Sequence, residues 1–176
     1  MANREALKEL QTRLAARLQA ARGEGAFVSS WLAVECAGCN YLLPLGQAGE
    51  IFSWSGVQTV PYTQSWFLGV ANLRGALTGV VDLAALLGAA AQPRTEQALA
   101  ESSLLALNPS LEVNAALLVD KLAGLRSGDA FAASESPEPS APAYFGAIHL
   151  DAQGVRWQEV DLQALSQHPV FLGISI

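Results

Sequence analysis

The chain predicts an all-β domain of short strands behind an N-terminal amphipathic helix, on three observations. From Phe27 onward, short segments rich in Val, Leu, Trp, Tyr and Phe are punctuated by Gly, Pro and Asn, the texture of strands and tight turns. Residues 2–22 differ: Leu7, Leu10, Leu14 and Leu18 recur three and four apart among Ala, Glu, Lys, Gln and Arg, a helical period in strong helix formers. The size, 176 residues with 51% apolar and 15% charged, suits one well-buried domain. The division is therefore an extension over 1–24 and a domain over 25–176.

In order, the helix of 2–22 ends at Gly23 and Gly25, residues that favour a helix stop. Its leucine stripe suits packing on its own domain or on a partner; a membrane surface is a weaker fit, because the stripe has no Trp or Phe anchor. Alternating apolar segments place strands at 30–36, 40–44, 69–73, 76–82, 103–107, 115–119, 144–150 and 155–161. Their regular turns are those of barrels. Short helices are expected at 82–87 and 161–166, each opened by an Asp able to cap the first turn. Residues 89–101 form a connector whose alanines could extend a helix, and 127–143, rich in Ser, Pro, Glu and Ala, is expected to be a mobile loop.

Charge narrows the function classes. The net charge is −6, which disfavours nucleic acid, since phosphate binding needs clustered Lys and Arg. Residues 1–24 carry five bases against three acids, and the remainder five against thirteen. The opening residues lack the continuous apolar core of a secretory signal, and the charge-free interval 51–73 is too polar for a membrane helix. A cytoplasmic protein without membrane insertion is expected.

Both cysteines lie in Val34-Glu35-Cys36-Ala37-Gly38-Cys39-Asn40-Tyr41. A redox C-x-x-C sits at a helix N-terminus, whereas β-rich sequence ending in Pro44 follows here. A hairpin turn at Ala37-Gly38 is favoured, with a disulfide or a thiol-redox site at Cys36 and Cys39 as alternatives. Zinc would need more ligands than His149 and His168 supply. The chain has no glycine-rich phosphate loop of either common form and no G-x-S-x-G elbow. His149 lies in an alternating strand, His168 precedes Pro169, and the carboxylates are not paired by spacing. No catalytic, cofactor or metal residue is assigned.

Arg74 is the one basic residue between Gly23 and Pro93. It sits in Asn72-Leu73-Arg74-Gly75, a polar break between apolar strands where Gly75 permits chain reversal. Either Arg74 is displayed for a partner or it forms an ion pair with Glu50 or Asp82.

The run Gly69-Val-Ala-Asn-Leu-Arg-Gly75, followed by Val80-Val-Asp-Leu83 and Leu87-Gly88, resembles the signature of CheW-like chemotaxis coupling proteins. Gly49-Glu50-Ile51 and Pro61 upstream, and Leu117-Leu-Val-Asp-Lys121 and Val160-Asp-Leu162 downstream, extend the likeness over about 27–172. Trp66-Phe67 and the helical extension look most like the pilus-associated, PilI-type branch of twitching motility. The resemblance implies two SH3-like five-stranded β-barrel subdomains and no catalysis. It also implies a scaffold joining methyl-accepting receptors to the regulatory domain of a CheA-like histidine kinase. By the same resemblance, Gly69 would face the kinase, and Glu50 and Arg74 would serve receptor contact and coupling. Three departures are visible: Ala48 opens the V-x-E-I segment, Gly79 replaces a proline, and 127–143 is long and acidic.

Overall fold

A computed structural model describes residues 2–23, 30–89 and 93–176. The chain opens with helix α1 (Ala2–Gly23), then runs β1 (Ser30–Cys36), β2 (Cys39–Pro44), β3 (Ala48–Ser53), β4 (Phe67–Leu73) and β5 (Ala76–Asp82). Short helices α2 (Leu83–Leu86) and α3 (Glu96–Glu101) precede β6 (Ser103–Leu107) and β7 (Ala115–Val119). After these come β8 (Lys121–Ser127), β9 (Phe131–Glu135), β10 (Phe145–Asp151) and β11 (Arg156–Val160), with α4 (Leu162–Gln167) and α5 (Pro169–Leu172) at the end.

The strands form two sheets. One has six strands in the order β8-β1-β2-β11-β10-β9, the other five in the order β3-β6-β7-β5-β4. The five-stranded sheet is a continuous insertion, so the chain starts in the larger sheet and returns to it.

Period-two alternation accounts for the layering. In β7, Ala115, Leu117 and Val119 join a large core shared by the sheets and helices, while Ala116 and Leu118 point to a second cluster with Leu73, Val80 and Leu104. In β1, Leu32, Val34 and Cys36 enter the shared core, and Trp31 and Ala33 form a third cluster with Leu42 and Trp157.

Both crossings between sheets are pinned by a polar side chain. At the first, the Gln47 amide donates to Asp161 at 3.0 Å and accepts from the Leu162 N–H at 2.7 Å, holding the start of α4. At the second, Asp120 accepts from the Ala37 N–H at 2.7 Å and from Arg94, which also grips Asp82 at the end of β5. Asp82 in turn caps α2 through the Ala85 N–H, and Asp161 caps α4 through the Ala164 N–H at 3.0 Å, the capping role that the sequence assigns to both residues.

Several expectations need correction. The larger sheet has six strands rather than five, because β9 adds an edge. That strand lies inside 127–143, so the first half of the expected loop is ordered pairing: Phe131 packs edge-on to Trp31, with ring centroids 5.9 Å apart. In addition, the Ser134 hydroxyl meets Nδ1 of its register partner His149 at 2.9 Å. His149 also contacts Glu159 through Nε2 at 3.2 Å, so its neighbours hold this edge of the sheet. β3 and β8 are two further strands that the list of expected strands omits. In the connector 89–101, Glu96–Glu101 is helical, capped by the Thr95 hydroxyl; residues 90–92 lie outside the described residues, as does Gly25 at the expected helix stop.

α1 packs on its own domain. It lies against β3 of one sheet and β8 of the other. Leu14 and Leu18 are buried in the shared core, whereas Leu10 is exposed. Gln11 is buried too, and both ends of its amide are satisfied: Nε2 donates to the Ser103 hydroxyl at 2.7 Å and Oε1 accepts from Ser53 at 2.8 Å.

Candidate interaction site

The β4–β5 hairpin closes on a two-residue turn in which Leu73 pairs with Ala76. Arg74 and Gly75 both have positive φ, 50° and 81°, the backbone of the hairpin turn that favours Asn-Gly. The Asn72 side chain accepts from the Gly75 N–H at 2.8 Å and braces the turn. The Arg74 guanidinium reaches across to Glu50 on β3 at 2.5 Å; the side chains are 73% and 33% exposed. Two of the sequence-assigned residues are thus brought together, and the proposed alternative partner, Asp82, belongs to Arg94 instead.

Magnitudes show that this pair does little for stability. A left-handed backbone at a non-glycine residue costs roughly 1–2 kcal/mol, and an exposed ion pair returns about 0–1 kcal/mol. The pair does not outweigh the strain. An Asn at position 74 would suit the turn better.

Gly69 is separate from the pair and offers no side chain. It is buried in β4 with φ 138°, and an added Cβ would lie 2.2 Å from the Gln58 carbonyl oxygen. Gln58 and Val70 exchange backbone hydrogen bonds of 2.8 and 2.9 Å, so Gly69 lets the 54–60 segment lie directly on β4.

The two cysteines flank the β1–β2 turn, formed by Ala37 and Gly38 at φ 49° and 75°. Both are free thiols; Cys36 is buried and Cys39 exposed. Burial pushes the Cys36 thiol from an ordinary 9.0 up to about 12, against a weaker opposing pull from its backbone bond with Asp120. A thiol held there stays protonated at neutral pH and is a poor nucleophile. The turn reading stands, and the buried, protonated Cys36 is a poor candidate for a redox nucleophile. In the native protein, iodoacetamide is expected to label Cys39 and spare Cys36, giving one adduct per chain by mass spectrometry. Two rapid adducts at neutral pH would overturn this. The sign for stability follows: the contribution of Cys36 is intact below about pH 9 and is lost as the pH rises towards about 12, because the unfolded thiol ionises first.

The network around Arg94 was not read from the sequence. Its Nε donates to Asp120, Nη1 to Asp82 and Nη2 to the other Asp82 oxygen at 3.2 Å. Its partners are 12 and 26 positions away.

The family model of the CheW-like domain matches residues 30–170. The chain belongs to the CheW-like family. Protein PilI of Pseudomonas aeruginosa strain PAO1 is 29% identical to it over 155 residues, 85% of this chain and 83% of that protein. The crystal structure of the scaffolding protein TtCheW from Thermoanaerobacter tengcongensis superposes with a TM-score of 0.64 at 18% identity, over 82% of this chain and 93% of that one. α1 lies outside the matched CheW-like region.

Two departures from the CheW-like signature have local causes. Gly79 donates its N–H to the Asn114 carbonyl at 3.1 Å, a bond that proline could not make, and a Cβ there would press on the Phe67 ring at 3.1 Å. Ala48 is fully buried in the shared core. Its side chain therefore faces the core and not the surface.

Proposed function

We propose that this CheW-like chain is a non-catalytic adaptor that couples methyl-accepting chemotaxis-type receptors to a CheA-like histidine kinase. The similarity to Protein PilI supports placing it in a chemosensory system that controls type IV pili and twitching motility. It would act at the cytoplasmic face of receptor arrays by binding alone, using no cofactor. No helix among the described residues is long and apolar enough to cross a membrane, so membrane attachment would come through the receptor.

The observation that carries this reading is Arg74: an exposed arginine on a strained turn, tied to Glu50 by a pair that adds almost nothing to stability. Receptor contact is assigned to Glu50 and Arg74, and the kinase regulatory domain to the surface shaped by Gly69. Coupling then lies in the relative geometry of two occupied faces.

Arg74→Asn tests the assignment, because it relaxes the turn while deleting the charge. Its melting temperature is expected to match or exceed that of the wild type. Its affinity for the purified cytoplasmic domain of the receptor encoded in the same genome is expected to fall about tenfold by calorimetry, roughly 1.4 kcal/mol. Unchanged affinity would remove Arg74 from the receptor surface.

A further inference from the structure

α1 does more than cover the domain, because it forms one side of a groove whose other side is the Glu50–Arg74 pair. Two adjoining clefts, of about 240 and 370 Å³, share Thr12, Ala15, Glu50, Ile51 and Arg74 in their linings. Lys8 closes one end, and Ala16 and Leu18 line the other. From Lys8 to Leu18 the helix rises about 15 Å, or three turns, and the small side chains of Ala15 and Ala16 let another helix approach closely along it.

The groove also has a charge preference. Lys8 and Arg74 stand against Glu50 alone, a positive balance on a chain of net charge −6. Five of the chain's ten basic residues lie within α1. A lipid surface is a poor match, because Leu14 and Leu18 are already buried in the shared core, and among the described residues of the helix Leu10 is the one exposed large apolar side chain.

We propose that α1 is the second wall of the receptor site, and that the groove between α1 and the Glu50–Arg74 pair takes a helix of the receptor's cytoplasmic domain bearing acidic side chains. This rests on the assignment of Glu50 and Arg74 to the receptor and extends it to a helix outside the matched family region. Lys8 and Arg74 meet the acidic residues, while Thr12, Ala15 and Ala16 set the distance of approach. Because Gln11 anchors α1 to Ser53 and Ser103, this wall is preformed.

The test uses the full chain and the cytoplasmic domain of the genome's own receptor, with the kinase regulatory domain as a second ligand. Ala16→Trp fills the groove, Lys8→Glu reverses its charge, and both positions are exposed, so melting temperatures should stay at the wild-type value. Each is expected to weaken receptor binding about tenfold or more and leave kinase binding unchanged. If both bind the receptor like the wild type while Arg74→Glu loses binding, the Arg74 assignment stands and the α1 wall is refuted. Tighter binding by Ala16→Trp would make α1 a cover over the site and refute it equally. If the wild type binds no receptor, the underlying assignment fails too. Binding of the wild type to phosphatidylserine vesicles that is lost in Lys8→Glu, with receptor binding intact, would give the groove to lipid instead.

Discussion

Arg94→Ala is expected to destabilise the protein by about 3–5 kcal/mol, the range for removing one partner of a buried ion pair. The Arg94 and Asp82 side chains are 12% and 7% exposed, so the substitution leaves a carboxylate stranded with little access to water. Burial alone would weaken the guanidinium's hold on its proton, but its bonds to Asp82 and Asp120 outweigh that and keep it charged. The loss also spreads. Asp120 holds the β1–β2 turn through the Ala37 N–H, and Asp82 caps α2, so one side chain ties the two sheets together at their second crossing. In a domain of this size the melting temperature should fall by roughly 6–20 °C. Arg94→Lys is expected to recover only part of this, since a single ammonium cannot reproduce a fork shared between two carboxylates. A variant within about 0.5 kcal/mol of wild type would show that the network is incidental.

The strands that could be read in advance are those whose side chains alternate between two buried layers. β1, β5, β6 and β7 have the expected boundaries, because apolar periodicity and turn residues agree there. β8 and β9 escaped for a common reason: Lys121–Ser127 is mostly half-buried and Phe131–Glu135 is exposed beyond its first residue, so neither has an apolar stripe. They are strands because a neighbour offers a ladder and, in β9, because Phe131 and Ser134 have partners in Trp31 and His149. Charged and polar partners were harder still. Arg74 was conspicuous by its isolation, and its pairing with Glu50 was one of two open alternatives. Gln11 gave no sign of itself, since its amide is satisfied by serines on β3 and β6, one of them 92 positions away. Local pattern encodes which residues are buried; polar matches across the fold depend on a register that only the assembled sheets supply.

Gly69→Asp is expected to abolish kinase binding, but chiefly by damaging the fold beneath the surface. With φ at 138°, any L side chain is strained there, and its Cβ would fall 2.2 Å from the Gln58 carbonyl oxygen. The strain amounts to about 1–3 kcal/mol. If the 54–60 segment lifts to relieve the clash, both Gln58–Val70 hydrogen bonds go, each worth about 1 kcal/mol. Trp54 and Val57 would also leave the second cluster. A total near 3 kcal/mol or more should appear as a melting temperature lowered by roughly 6–12 °C. Gly69→Ala, which adds no charge, should show most of that loss; a melting temperature like the wild type's would mean that the segment moves aside freely. Kinase contact itself is better probed at Thr59, which is exposed and whose Cα lies over Gly69. Thr59→Asp is expected to keep the wild-type melting temperature and weaken binding of the kinase regulatory domain about tenfold. Should Thr59→Asp bind normally while Gly69→Ala loses both stability and affinity, the glycine of the signature would be structural in this protein, and the kinase surface would have to lie elsewhere.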